Sequence, residues 1–498
     1  RADLEQLLAD MLGRSREHVR GLAELVGRRS EFNPLFVRQL LLHLVDLGLL
    51  RVGEQGWEWD EVAIAGSSLP DDMLAIMTAK LARVPERERE LLQVAACIGT
   101  RFDPSVLEAL YLDPGNTTLS QHVAIADSLR RLVNEGLLVS VPEGLQFSHD
   151  HVQRSARDSL APERRRSIHA AVGRYLLARS RGHEIGEDVF LVVDQLREGG
   201  VGVELLGSDK QRLELARLAQ RAGAQAMQAA AWASARRYLE FGIELLRSLA
   251  TEGLDEPHEL AFSLYFGHAQ VLALLGEHDA ALTGYDALLR RPLGCLEQGR
   301  ASAKRLRLLA QRGRAGEALA GAVEFLRRCG LELPEQPGRL RVLGELARVR
   351  WQLRGHARDR LLALAPASDE TALAAMAVLS AAKGPAYIKR PRLYAVLSVL
   401  HVRVALASGR DASTALAVAQ LAVTALATGA SVPAIEQLCE AALALEQRGN
   451  GRGVEARTAV LLFVWPAIRP FRTIAREVDA VLHTALDAGD HENSGYLA

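Results

Sequence analysis

Cysteine is scarce in these 498 residues, with four in all: Cys97, Cys295, Cys329 and Cys439. They stand far apart and form no CxxC or Cys/His spacing. That excludes a disulfide scaffold and a cysteine-rich zinc site, and leaves reduced core residues. Aromatics make up 5% of the chain, and Val, Ile and Thr are thin beside Ala, Leu and Arg. This balance favours helices over strands. Excess charge is also missing: 60 Lys and Arg stand against 61 Asp and Glu, for a net charge of -1. No overall field draws the protein onto nucleic acid or an anionic membrane. The longest uncharged stretch, 412–435, is broken by Gln420, Thr424, Thr428, Gly429, Ser431 and Pro433. It suits a buried Ala-rich helix better than a membrane span. No signal peptide opens the sequence, and Arg1 already lies inside a helical pattern. The expectation is a cytoplasmic piece of a longer polypeptide that does not enter a membrane.

Catalytic signatures are missing as well. There is no GxxxxGK[ST] phosphate loop and no Gly-Lys pair, no HExxH, no GxSxG and no kinase motif set. The expectation is no catalytic residue and no metal site within these residues, although ATP or ADP with magnesium remains compatible with a longer protein.

What is present is helix punctuation. The chain is too long for one compact core, so several domains are expected. Helical periodicity covers 1 to about 48. Asn33 and Pro34 suit the cap and first turn of a helix that runs to a stop near Gly48. Leu49–Val52 and Trp57–Trp59 then flank a Gly-rich turn and predict a small hairpin in which packing accounts for both tryptophans. His43, on the apolar stripe, reads as a core histidine. The pattern recurs later. Helices near 73–82 and 86–98 and a helix from Ser128 to Gly136 lead into strands at 137–141 and 145–147, the layout of a winged helix. Its helix 128–135 offers only Arg130 and Arg131, which argues against nucleic acid as a partner. The following basic turn, Arg164–Arg166 with His169, reads as a solvated helix face.

Where the second wing strand meets the next helix, Phe147-Ser-His-Asp-His-Val-Gln153 crowds two histidines around Asp150. Imidazole and carboxylate suit a general acid/base pair or half a metal site. Ser148 and Asp150 are also good helix-starting residues, and the cap is the favoured reading. From about 205 onward, helix follows helix. Small residues recur at tetratricopeptide-like offsets around Ala235, Ala281 and Ala318, at uneven separations. Pro334 and Pro337 mark a turn between two helical runs. The predicted fold is mostly α, and stacked helical pairs are a usual surface for a protein partner.

Together these segments resemble bacterial STAND-type signalling ATPases of the AAA group. The likeness is carried by Asn33-Pro-Leu-Phe-Val-Arg-Gln-Leu40, Gly48-Leu-Leu50 with Trp57-Glu-Trp59, Leu92–Gly99 with Phe102-Asp103, Gly136-Leu-Leu138, Phe147–Gln153, Arg166 with His169, Gly330–Pro334 and 489–493. The resemblance implies a helical lid at 1–69, a winged helix at 70–161, a helical connector at 162–204 and an irregular tetratricopeptide-like solenoid at 205–498. It implies that Pro34, supported by Asn33, borders an adenine pocket, with Phe32 where the family pattern has Gly. It further implies that His149, supported by Asp150, meets the phosphates of ADP, and that the phosphate loop lies upstream of Arg1. Such regions are commonly fused to serine/threonine kinase, GAF, histidine-kinase or cyclase modules, so the implied partners are neighbouring output domains. A LuxR-like transcription regulator and a pure tetratricopeptide scaffold are the alternatives.

Overall fold

The computed structural model describes residues 2–30, 32, 34–53, 56–67, 81, 83–112, 125–180, 189–200, 208–249, 258–334, 336–448, 454–487 and 490–498. The fold is mostly α, as the composition predicts, and contains two compact units, Arg1–Arg212 and Leu213–Ala498.

The first unit opens with helices Ala2–Leu12, Arg16–Ser30 and Pro34–Asp46. The third ends where Gly48 turns to φ +70°. There Leu49 N donates to Leu44 O and Gly48 N to Val45 O, each at 2.9 Å. This pairing closes the orphan carbonyls of a helix end, and the left-handed residue that it needs is cheapest as glycine. The hairpin follows: β1 (Leu50–Gly53) pairs antiparallel with β2 (Gly56–Trp59), Leu50 opposite Trp59. His43 is buried.

Farther along, helix Glu86–Ile98, β3 (Arg101–Phe102), helices Pro104–Leu112 and Ile125–Asn134, β4 (Leu138–Val141) and β5 (Gly144–Phe147) succeed one another. The strands form an antiparallel sheet in the order β3-β5-β4. Gly144 is required at φ +134°, because a Cβ there would lie 2.5 Å from Phe102 O. Leu91, Leu92, Phe102, Leu132, Phe147 and Val152 close one core beneath the sheet. Each such side chain contributes roughly 1.5–3 kcal/mol by leaving water. The helix expected near 73–82 falls largely outside the described residues.

The second unit is built of helices alone apart from one isolated bridge. Helices Asp209–Gln228, His258–Leu274 and Cys295–Gln311 each end in the same hydrogen-bond pairing and lead into helices Trp232–Arg247, His278–Leu289 and Ala315–Arg328. The left-handed residues are Ala230 (φ +55°), Gly276 (φ +82°) and Gly313 (φ +76°). Five positions beyond each lies a buried small residue, Ala235, Ala281 or Ala318. That common offset is the structural unit behind the loose sequence repeat. Helix Cys295–Gln311 packs closely on helix Glu370–Lys389, because a Cβ on Gly299 would meet Ala374 Cβ at 2.5 Å.

The Pro334/Pro337 segment is non-helical and leads into helix Arg339–Gln352. The uncharged stretch becomes helix Thr414–Ala427, a turn at Gly429 and the start of helix Val432–Arg448. Among the described residues, Glu370–Lys389 alone is long and apolar enough to cross a membrane; 61% of its apolar window is buried. Two turns are clamped together beside it. Arg410 N donates to Ala365 O at 2.8 Å and Ala367 N to Arg410 O at 2.9 Å. Arg410 Nε also donates to Leu364 O at 3.2 Å. Gly409, at φ +100°, permits this approach: a Cβ there would lie 2.7 Å from Ala365 O.

Candidate functional site

β5 and the next helix meet at Phe147–Gln153. β5 ends at Phe147, whose N–H donates to Thr100 O, and Ser148 N donates to Leu137 O. Helix Asp150–Asp158 starts two residues later. The cap is neither Ser148 nor Asp150 but His149 itself, extended at φ -154°, whose Nδ1 accepts from His151 N at 3.2 Å. Asp150 occupies the first helical position, exposed, where a carboxylate complements the helix dipole. The two imidazoles stack with centroids 5.1 Å apart. Because Nδ1 accepts, a neutral His149 must carry its proton on Nε2. Nε2–H makes no hydrogen bond among the described residues. A ring donor is thereby held at the positive end of a helix, an arrangement that can bind an anion. Ser148 Oγ is buried without a partner.

Phe32 and Pro34 lie elsewhere in the first unit. Pro34 begins helix Pro34–Asp46, which packs on helix Arg16–Ser30 and β1. Asn33 lies outside the described residues. Phe32 takes φ +59°, a left-handed conformation in which a side chain is strained. No hydrogen bond or ring contact among the described residues joins the Pro34 helix to His149.

Amide side chains fix the helix beneath the motif. Gln153 Nε2 donates to Ala96 O at 3.1 Å and Thr100 Oγ1 donates to Gln153 Oε1 at 2.8 Å. Gln195 Nε2 reaches Cys97 O at 2.8 Å and Ile98 O at 2.9 Å, while its Oε1 lies 2.8 Å from His169 Nδ1. His169 is therefore buried rather than on a solvated face. Burial lowers its pKa against the pull of Gln195 and Glu198, and the neutral ring donates from Nδ1. On helix Ile125–Asn134, Arg130 pairs with Asp127 and Arg131 Nη1 with Glu88 Oε1 at 3.0 Å. Both arginines are thus paired within the protein, with their side chains still largely exposed.

Sequence reasoning missed the polar centre of the second unit. Lys383 Nζ lies 2.9 Å from His401 Nδ1, His401 Nε2 lies 3.1 Å from Ser413 Oγ, and Ser413 Oγ lies 2.8 Å from Asp411 Oδ2. Ser413 donates to Asp411 and so accepts from His401 Nε2–H, which leaves Nδ1 of the neutral ring to accept from Lys383: the line has one direction, Lys383 to His401 to Ser413 to Asp411. Burial pushes the Lys383 pKa down to about 7 despite the attraction of Asp411 and Glu455. Burial, then Lys383, hold the His401 pKa well below its usual value. The available signal was the single charge between Glu370 and Lys389 in an otherwise apolar helix. A second centre is Glu345, 1% exposed, bound by Arg341, Arg348 and Arg403.

The cysteines are free: Cys97 and Cys439 are buried, and burial raises both pKa values to about 12. Cys295 and Cys329, distant in sequence, hydrogen-bond in space, and burial raises the Cys329 pKa to about 11. Among the described residues no group of three His, Cys, Asp or Glu is arranged to hold a metal. A cleft of about 430 Å³ opens between helices Arg339–Gln352, Thr414–Ala427 and Val432–Arg448, with Leu346, Val349, Leu421 and Leu438 among its lining.

No family model matches this sequence. A hybrid signal transduction histidine kinase G from Dictyostelium discoideum is 20% identical over 378 residues, covering 66% of this chain. The chain spans only 11% of that relative's length. A crystal structure of a signal transduction ATPase with numerous domains and a tetratricopeptide repeat sensor, from Pyrococcus horikoshii, is 11% identical with a TM-score of 0.37. That match covers 86% of this chain and 55% of the other.

Proposed function

We propose that this chain is the regulatory region of a multidomain signal-transduction ATPase of the STAND type. In this reading, residues 1–69 are the lid and 70–161 the winged helix. ADP bound to a phosphate loop supplied upstream meets His149, and the helical array takes a protein partner whose binding is relayed to neighbouring kinase or sensor-kinase domains. The observation that carries the reading is the tautomer at the wing exit. The cap consumes Nδ1 of His149 and leaves Nε2–H as a donor at a helix N-terminus. A phosphate oxygen is the acceptor that such a donor and dipole suit. The histidine-kinase relative supports a signalling setting.

ATP or ADP with magnesium belongs to the longer protein, and the 498-residue chain by itself is expected to bind neither tightly. The test is ADP titration of the longer protein, wild type against His149→Ala. Loss of one charge-assisted hydrogen bond predicts roughly 10-fold weaker ADP binding and raised basal output. Unchanged affinity and output exclude the sensor role. The isolated chain should not hydrolyse ATP. Turnover that persists after contaminating ATPases are removed refutes the assignment of these residues as a readout without a catalytic centre.

A further inference from the structure

Helix Arg339–Gln352 leaves apolar surface uncovered. Leu340 is 86% exposed, Leu343 56% and Trp351 73%, with Ala347 exposed between them. Their spacing places them on one face. Leu343, Arg350 and Arg354 lie on the edge of that face toward the cleft, which Arg350 and Arg354 themselves line. An apolar path therefore runs from the exposed stripe into a concave floor that includes Leu346, Leu421 and Leu438. Large exposed apolar side chains grouped in this way mark interaction surfaces rather than ordinary surface variation.

The charged residues that line the cleft, Arg350 and Arg354, are both basic. Positions 339–362 carry seven arginines against Glu345 and Asp359. Glu345 is buried and engages Arg341, Arg348 and Arg403. Arg339, Arg350 and Arg354 are exposed and enter no ion pair among the described residues. We propose that this surface binds an acidic amphipathic helix of a protein partner, its apolar side chains along Leu343 and Trp351 and into the cleft, its carboxylates over Arg339, Arg350 and Arg354. This rests on the reading of the helical unit as a partner-binding surface and names the partner's chemistry. A flat anionic bilayer would reach Leu340 and Trp351 but not the recessed Leu421 and Leu438, whereas a helix inserts its side chains into such a groove.

The test uses the whole 498-residue chain and two labelled synthetic helical peptides with the same Leu/Phe spacing, one flanked by Glu and one by Lys. Vesicles of mixed phosphatidylserine and phosphatidylcholine form a third arm. The variants are Trp351→Glu and the pair Arg350→Glu/Arg354→Glu, all at exposed positions, with folding checked by circular dichroism. The acidic peptide is expected to bind in a salt-sensitive way, each variant weakening it at least 10-fold, and the charge-reversed pair is expected to gain affinity for the lysine peptide. Equal binding of both peptides, indifference to the variants, or vesicle binding without peptide binding overturns the proposal. If a partner of the chain is identified and binds both variants as tightly as wild type, the partner-binding reading stands and this surface is wrong.

Discussion

The two units handle buried polarity in opposite ways. In the first, neutral amides do it: Gln153 and Gln195 reach across the fold to the last carbonyls of helix Glu86–Ile98. In the second, ionisable groups do it, with Lys383 and His401 fully buried in a line to Asp411, and Glu345 among three arginines. Amides satisfy carbonyls at any pH, whereas a buried lysine ties stability to protons. Between pH 7 and 9 the amide contacts of the first unit should therefore be indifferent to pH where the lysine line of the second is not, since the lowered pKa of His169 acts below that range.

The largest expected effect tests that contrast directly. Folding lowers the Lys383 pKa from 10.5 to about 7, so between those values the unfolded chain binds more protons. Its contribution is complete above the unfolded pKa and is lost as pH falls toward 7. The stability difference between wild type and Lys383→Met should rise with pH between 7 and 9, by about 1 kcal/mol per pH unit. Urea titrations at several pH values read this slope, and a flat difference removes lysine from the account. Next comes Gln195→Ala, which strands two carbonyls and His169 and should cost about 2–3 kcal/mol by hydrogen exchange of helix Glu86–Ile98, with no change of slope over the same pH range. A pH-dependent loss there erases the contrast between the units.

Packing gives a smaller effect. Gly299→Ala drives a methyl into Ala374 and should cost about 2 kcal/mol, while Gly284→Ala, whose Cβ would lie 3.2 Å from Ala269 Cβ, should cost markedly less. Equal losses in chemical denaturation would mean that the contact between helices Cys295–Gln311 and Glu370–Lys389 yields more readily than its distances imply. Smallest is Ala230→Gly, which relieves a left-handed alanine and should stabilise the second unit by roughly 0.5–1 kcal/mol in the same assay. A destabilisation would show that the alanine methyl packs well enough to outweigh its backbone strain.

Local rules were legible in the sequence. Gly48 and Gly136 read as helix stops, and both take the left-handed closing conformation that glycine reaches at least cost. The two strand hairpins and the Pro-rich turn were readable from their turn residues. The cap at 147–153 was legible as a helix start, but the choice of His149 was not, since Ser and Asp are the usual acceptors. His169 was misread because three arginines precede it, whereas its environment comes from Gln195, 26 positions away. Likewise Lys383 to His401 and Cys295 to Cys329 are meetings between helices. No periodicity within one helix specifies its partner across a stack.

The clamp of Arg410 on Ala365 and Ala367 sets an order of events in time. Helical hairpins such as those at Gly276 and Gly313 close over neighbouring residues and can form early. The clamp joins turns separated by two full helices, so loop closure must precede it. It also fixes the turn that carries Asp411, the last member of the buried polar line. Gly409→Ala, which would set a methyl 2.7 Å from Ala365 O, should therefore disturb not only the clamp but also the placement of Asp411 against Ser413.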